Sequence, residues 1–192
     1  MVDATTVLLI GKPDVGHQIL ARDAVGDLAN WQQWLIPVAI AALGYVEQHP
    51  HSQAGRATIL STWAGNDAAA AERWALDHFD GNGANPYLAA VIRGIAGNDI
   101  ANASRLAQTL PFGRERSEAV GSITQALFLQ GADAAMAFPA SIADETLRGG
   151  FVAAIAKRLI EKDVNKAATW VASMQQGGVQ NRAAHDVADA LA

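Results

Sequence analysis

The sequence repeats with a constant step of 32 residues, and this step constrains the fold more than any other feature. Large apolar side chains keep the step at one position, and β-branched apolar side chains keep it at another. The first set is Trp74, Leu106, Phe138 and Trp170, and the second is Ile59, Val91, Ile123, Ile155 and Val187. A helical unit of this length is one helix-turn-helix hairpin, which must stack on its neighbours to bury its apolar face. The repeat therefore predicts an all-α fold, an α-solenoid of about five stacked antiparallel hairpins.

The same step predicts where the units begin and end. Residues 1–19 lie outside the repeat and are expected to form a separate N-terminal segment or cap. The repeat domain covers residues 20–192, with units at about 20–50, 55–83, 86–113, 114–142 and 148–178 and a half unit at 182–192. Because the half unit has no following partner for its apolar face, we expect a longer parent chain or another copy to cover that end.

Two prolines predict interruptions of helices. Pro37 divides the first unit, so one helix is expected to end near Trp34 and a second to cover about residues 37–49. Pro139 falls in the second helix of the unit at 114–142, and that helix is expected to stop or kink near Phe138.

Two identical tetrapeptides predict the turn inside the units. Residues 64–67 and 96–99 both read Ala-Gly-Asn-Asp, and Asp163 takes the place of the aspartate in a later unit. We expect the glycine to adopt the left-handed conformation that ends a helix, and the aspartate to accept the first N–H groups of the next helix. These aspartates are interpreted as helix caps in preference to catalytic or metal-binding residues. His78 is likewise interpreted as a C-terminal cap, with a role as ligand or base as the alternative.

Composition and charge exclude several classes of function. The net charge of −5 argues against a nucleic-acid partner, since such binding depends on clustered Lys and Arg. The chain has no cysteine, which excludes disulfides and thiolate metal sites. No stretch approaches the ~18 uninterrupted apolar residues of a membrane span. We therefore expect a cytoplasmic protein, or a periplasmic one if a leader has been removed, with no membrane partner.

Two segments are incomplete metal motifs. Glu47, His49 and His51 lie close together in the sequence, but a zinc site needs a further ligand and a shaped shell. Asp80 and Asn82 begin a calcium loop, which then fails because Val91 stands where the bidentate glutamate should be. The sequence predicts neither a metal nor a cofactor.

Residues 11–18 resemble a phosphate-binding loop. They follow an apolar, strand-like run at 5–10 and read Gly-Lys-Pro-Asp-Val-Gly-His-Gln. In the pattern G-x-x-x-x-G-K-[ST], the lysine binds phosphate and the hydroxyl binds Mg²⁺, but His17 and Gln18 occupy these positions here. A turn that covers the first hairpin is the preferred interpretation. A degenerate nucleotide-binding or enzymatic module is the alternative.

On the first helices, the face opposite the core changes its chemistry from unit to unit. It carries Ser61, Arg93, Gln125, Lys157 and Asp189, with Thr62, Ala126 and Arg158 beside them. Packing explains the constant positions, so the variable ones are free to contact a ligand along one surface of a stacked array. The candidate residues for binding a protein or peptide are Arg93, Gln125, Lys157 and Arg158. We expect Arg93, Lys157 and Arg158 to bind an acidic segment of that partner. An ordinary solvated face is the alternative.

Residues 95–119 resemble bacterial TPR-like or HEAT-like helical repeats. They match the pattern I-A-x-x-D-x-x-x-A-x-x-L/W-x-x-x-L-P-x-G-x-x-R-x-x-A, and the resemblance extends over residues 55–192. The glycine and tyrosine positions of the standard tetratricopeptide consensus are unmatched. The resemblance concerns packing residues, so it implies a non-enzymatic protein-binding scaffold and provides no catalytic residues.

The nucleotide alternative can be tested directly. A chain that binds nucleotide through residues 11–18 should melt at a higher temperature in millimolar ATP or GTP with Mg²⁺, because a ligand of the native state stabilises it. We expect a melting temperature that does not depend on nucleotide. A reproducible rise would favour the alternative.

Overall fold

The computed structural model describes residues 31–47 and 53–191. Within these residues the chain forms ten α-helices, one 3₁₀ turn and no strand. The helices are α1 (Trp31–Glu47), α2 (Gln53–Asn66), α3 (Ala68–Asp77), α4 (Pro86–Ile95), α5 (Ile100–Thr109), α6 (Arg114–Gln130), α7 (Ala132–Ala137), α8 (Glu145–Lys162), α9 (Val164–Ala172) and α10 (Gly178–Leu191), with the 3₁₀ turn at Phe138–Ser141. The all-α prediction is confirmed. The predicted segment 1–19, with its strand at 5–10, lies outside the described residues.

The helices pack in a regular order. We call α2, α4, α6, α8 and α10 the first helices, and α3, α5, α7 and α9 the second helices. Each first helix packs on the next first helix, and each second helix packs on the first helices before and after it. Every second helix therefore lies against two first helices that are consecutive in the chain.

Small and large side chains alternate along the second helices. Ala71, Ala103, Ala135 and Ala167 are fully buried. A larger side chain at such a crossing would force the helices apart. One turn further on, Trp74 and Leu106 are buried in the core, and Phe138 and Trp170 pack against it.

Two edge-to-face aromatic contacts connect consecutive hairpins. Trp74 contacts Tyr87 at the start of α4, with 5.4 Å between ring centroids. Phe138 contacts Phe151 in α8 in the same manner, at 5.1 Å. Trp74 and Phe138 are two repeat steps apart in the sequence, and so are Tyr87 and Phe151. Such pairs contribute about 0.5–1.5 kcal/mol beyond the area they bury.

Three aspartates cap the second helices, as predicted. Asp67 accepts from the N–H of Ala70 at 3.0 Å and Asp99 from that of Asn102 at 2.9 Å. Asp163 accepts from the third residue of α9 at 3.0 Å. The backbone φ angles of these aspartates are −140°, −144° and −160°, so the three turns share one geometry. Each cap stabilises its helix by about 1 kcal/mol.

The expected left-handed glycine at these turns is wrong. Neither Gly65 nor Gly97 has a positive φ. Helix α2 continues to Asn66, and the N–H of Asp67 still donates to the carbonyl of Trp63 at 2.8 Å, so one residue joins the two helices. Position 65 favours glycine for another reason. A Cβ atom added to Gly65 would lie 3.4 Å from the carbonyl oxygen of Gly94 in the neighbouring first helix.

The two prolines have different effects. Helix α1 runs without a break from Trp31 to Glu47, so the predicted interruption at Pro37 is wrong. Pro37 is exposed, which lets water hydrate the carbonyl that loses its helical partner, while Ala42 and Leu43 stay buried. The interruption at Pro139 is confirmed, because α7 ends before it and the 3₁₀ turn contains it.

His78 caps the C-terminal end of α3, as predicted. Its Nδ1 lies 2.9 Å from the carbonyl oxygen of Trp74. Its exposed ring stacks on the Trp74 indole, with 4.1 Å between centroids and 15° between planes. The histidine therefore extends the apolar core at a helix end.

The last helix exposes apolar side chains. Leu191 is 56% exposed, whereas Leu159, one step earlier in the repeat, is 2% exposed. Ala188 is exposed where Ala156 is buried. Coverage of this face by another copy or by a longer parent chain stays a prediction.

Helices α2 and α4 approach each other closely at Gly94. A Cβ at this position would overlap the carbonyl oxygen of Ser61 and would lie 2.9 Å from the Cβ of Ala64. Gly121, in the middle of α6, has open space around it. The two glycines therefore have opposite tolerance for a side chain.

We expect Gly94→Ala to lower the free energy of unfolding by about 1–3 kcal/mol, because backbone atoms block the added methyl group. Gly121→Ala is the matched control and should raise it by about 0.5–1 kcal/mol, since alanine favours the helix. Urea denaturation midpoints measure both changes. A Gly94→Ala protein as stable as the wild type would contradict the close α2–α4 contact.

Candidate partner-binding surface

The four predicted partner-binding residues lie on three consecutive first helices. Arg93, Gln125 and Lys157 belong to α4, α6 and α8, and all three are exposed. Because packed helices are roughly 8–10 Å apart, a ligand that crosses these helices can contact all three side chains. Ser61 on α2 is half-buried, and Asp189 on α10 is exposed. We call Arg93, Gln125 and Lys157 the polar row.

Arg93 is held loosely by an acidic neighbour that sequence reasoning missed. Its Nη2 lies 4.0 Å from Oε2 of Glu118, and its side chain is 48% exposed. Glu118 also accepts from Nε of Arg114 at 2.8 Å, and this hydrogen bond raises the pKa of the Arg114 guanidinium. An exposed pair at this distance contributes little, so Arg93 remains accessible to a ligand. The Arg114–Glu118 pair has the helical spacing i, i+4 and is visible in the sequence.

Arg158 lies beside an aromatic ring. Its guanidinium carbon is 5.3 Å from the ring centroid of Phe128, and the ammonium nitrogen of Lys162 is 5.8 Å from the same centroid. Arg158 is half-buried, so it contributes to packing as well as to charge. Lys157 is exposed and makes no ion pair within the part of the chain that the structure describes.

The predicted place of Ala126 on this surface is wrong. Ala126 is buried. It lies one repeat step after Gly94, the residue at the close α2–α4 approach. A small side chain at this position of the repeat lets two first helices pack closely. Helix packing therefore explains why residue 126 is an alanine.

A groove lies between α6 and α8. It has a volume of about 250 Å³. Val120 and Leu147 are the buried apolar residues of its lining, and Gly150 and Ala153 leave room above them. Ala153 precedes Lys157 by one helical turn, so the groove leads toward the polar row. Sequence reasoning missed this groove, although the small residues at 150 and 153 were a usable signal.

The loop before α6 places an apolar side chain at the groove. Phe112 is 86% exposed and lines the groove. An exposed aromatic residue beside small apolar side chains is a feature of protein-binding surfaces.

An ion pair fixes one wall of the groove. Arg116, whose side chain is 12% exposed, donates from Nη2 to Oδ1 of Asp144 at 3.0 Å. Asp144 also caps α8 by accepting from the N–H of Leu147 at 2.6 Å. The hydrogen bond from Leu147 is the main cause that lowers the pKa of Asp144 below its ordinary value of 3.8, and the charge of Arg116 adds to it.

Metal and nucleotide sites are alternative interpretations of the sequence. Among the described residues, no group of three or more His, Asp or Glu side chains is placed to hold a metal ion. The side chains of Glu47, His49 and His51 and the segment 11–18 lie outside the described residues. In the described part of the chain, no helix combines the length and apolar character needed to cross a bilayer.

Comparisons with protein-family models, with curated proteins and with solved structures found no match to this chain. The resemblance to TPR-like and HEAT-like repeats therefore stays a prediction.

Asp144 should make stability depend on pH. Its pKa is lower in the folded chain, so its contribution is present above the unfolded pKa and is lost as the pH falls through the folded pKa. We expect the urea midpoint to fall less between pH 6 and pH 3 in Asp144→Asn than in the wild type. Arg116→Gln should keep part of the wild-type dependence, because the N–H of Leu147 remains. Equal slopes in the wild type and Asp144→Asn would contradict this role.

Proposed function

We propose that this chain is a non-enzymatic α-solenoid scaffold that binds an acidic segment of a protein or peptide along its first helices. The observation that carries the proposal is the polar row of Arg93, Gln125 and Lys157 on three consecutively packed helices, beside a groove. The scaffold needs no metal or cofactor for this role.

Contacts between consecutive hairpins support the solenoid arrangement. Each second helix packs on two consecutive first helices. Arg105 pairs with Glu72 at 2.9 Å and Lys166 pairs with Asp133 at 3.0 Å, so ion pairs join α5 to α3 and α9 to α7. The partners of each pair are 33 residues apart, which is one repeat step plus one residue. A stack of hairpins with a step of 32 accounts for these repeated contacts.

Local charge supports an acidic partner. The whole chain carries a net charge of −5, yet Arg93, Lys157 and Arg158 give the first-helix surface a cationic region. An acidic segment is repelled by the rest of the protein and attracted to this region, which favours binding in one place. Glu118 and Glu161 reduce the positive charge, so we expect moderate affinity that depends on salt.

The groove supports a segment that also carries an apolar side chain. Its buried floor of Val120 and Leu147 offers apolar surface, and Phe112 stands at its edge. Burial of one apolar side chain provides affinity that salt does not screen. An acidic peptide with an apolar residue near its charges therefore fits this surface better than a purely acidic one.

The test uses a displayed library of random peptides selected on the full chain, followed by affinity measurements on the enriched sequences. We expect enrichment of Asp and Glu, and affinity that falls when the salt concentration is raised. The triple variant Arg93→Ala, Lys157→Ala, Arg158→Ala should bind at least about tenfold more weakly, because each exposed pair contributes roughly 0.5–1 kcal/mol.

The matched control removes the same number of positive charges from the second helices. It combines Arg73→Ala, Arg105→Ala and Lys166→Ala, and it should bind the enriched peptides like the wild type. Melting curves check that both triple variants are folded. Unchanged binding in the first variant, or no enrichment of acidic peptides, would refute the proposal.

A further inference from the structure

A second cavity lies between α8, α9 and the start of α10. Its volume is about 470 Å³, and its lining contains none of the polar row. Sites for small ligands commonly have volumes of about 300–1,000 Å³. The large apolar side chains of the lining are Met136, Pro139, Val152, Trp170, Met174 and Val179. The cavity therefore has the size of a small-molecule site, and apolar and polar residues share its lining.

The indole of Trp170 is held in a fixed position at this cavity. Its Nε1 donates to the carbonyl oxygen of Met136 at 3.1 Å. Trp170, Met136 and Met174 are half-buried, so part of each side chain remains accessible. A rigid indole beside two flexible thioethers can adapt to an aromatic or branched aliphatic group.

One arginine lines the cavity without a carboxylate partner. Arg148 donates from Nη1 to the carbonyl oxygen of Ile142 at 3.2 Å. In residues 53–191 it forms no ion pair, although Glu145 lines the same cavity. A guanidinium has five N–H donors, so a half-buried one favours an anionic acceptor.

The preceding unit shows what Arg148 lacks. Arg116 lies one repeat step before Arg148 and pairs with Asp144 at 3.0 Å. The residue one step after Asp144 is Gln176, which lines the cavity together with Arg148. A neutral amide thus replaces the carboxylate that pairs with the equivalent arginine.

We propose that this cavity binds a small monocarboxylic acid with an aromatic or apolar body. The carboxylate pairs with Arg148 in the role that Asp144 has for Arg116. The body packs against Trp170, Met136 and Met174. Arg148 selects for the negative charge and the apolar lining selects for the body, so neither a neutral amide nor a purely polar acid satisfies both.

The first experiment compares hydrocinnamate with its amide by titration calorimetry on the full chain. We expect the acid to bind at least about tenfold more tightly, because the amide cannot form the charged pair. The indole N–H resonance of Trp170, assigned with Trp170→Phe, should shift with the acid. Equal affinities for acid and amide, or no binding of the acid at millimolar concentration, would overturn the proposal.

The second experiment supplies the missing carboxylate from the chain itself. Gln176→Asp should pair with Arg148, raise the melting temperature and weaken hydrocinnamate binding by about tenfold or more. Gln108→Asp makes the same change of charge at an exposed position of α5 outside the cavity lining, and it should bind hydrocinnamate like the wild type. Unchanged binding in Gln176→Asp would refute the role of Arg148. This design does not rely on removing Arg148, which also holds the carbonyl of Ile142.

A third measurement distinguishes a small acid from the free C-terminus of a peptide. A short peptide that ends in phenylalanine with a free carboxylate should bind no more tightly than hydrocinnamate. Affinity about tenfold higher for the peptide would overturn the assignment to a small molecule. The triple variant Arg93→Ala, Lys157→Ala, Arg158→Ala should leave hydrocinnamate binding unchanged. The experiments therefore test this cavity and the acidic-segment site independently.

Discussion

The structure depends on the burial of each hairpin's apolar face against the next hairpin. Val91, Ile123 and Ile155 are fully buried, each on a first helix that packs on its neighbouring first helix. Burial of each such side chain stabilises the fold by about 1.5–3 kcal/mol. Small residues are required where helices cross, and the alanine at the start of each second helix meets that need. A change at one crossing therefore disturbs two hairpins at once.

Packing at the core leaves the exposed positions free to differ in chemistry. Aspartate caps begin α3, α5 and α9 in the same way, and Arg93, Gln125 and Lys157 occupy exposed positions of the first helices. Arg116 keeps an internal carboxylate, whereas Arg148, one step later, is left with Gln176 and an open cavity. Equivalent arginines in consecutive units therefore differ in their polar partners.

Much of the fold and the exposed part of the candidate surface could be predicted from sequence. Helical hairpins, the caps at Asp67, Asp99 and Asp163, and the interruption at Pro139 follow from local rules about helix ends and apolar periodicity. Exposure of Arg93, Gln125 and Lys157 follows from the same periodicity. These features depend on residues a few positions apart, which the chain order fixes.

Contacts between distant residues decided the rest. The continuous helix through Pro37 depends on which side of α1 faces water, and the role of Gly65 depends on the backbone of Gly94 in another helix. The Arg93–Glu118 pair, the groove and the cavity join side chains that meet only after helices pack. The sequence by itself determined most of the helices and their aspartate caps, because both are set by neighbours along the chain. The tertiary structure decided which charges are paired and where cavities remain, because both depend on distances across helix contacts that no local pattern specifies.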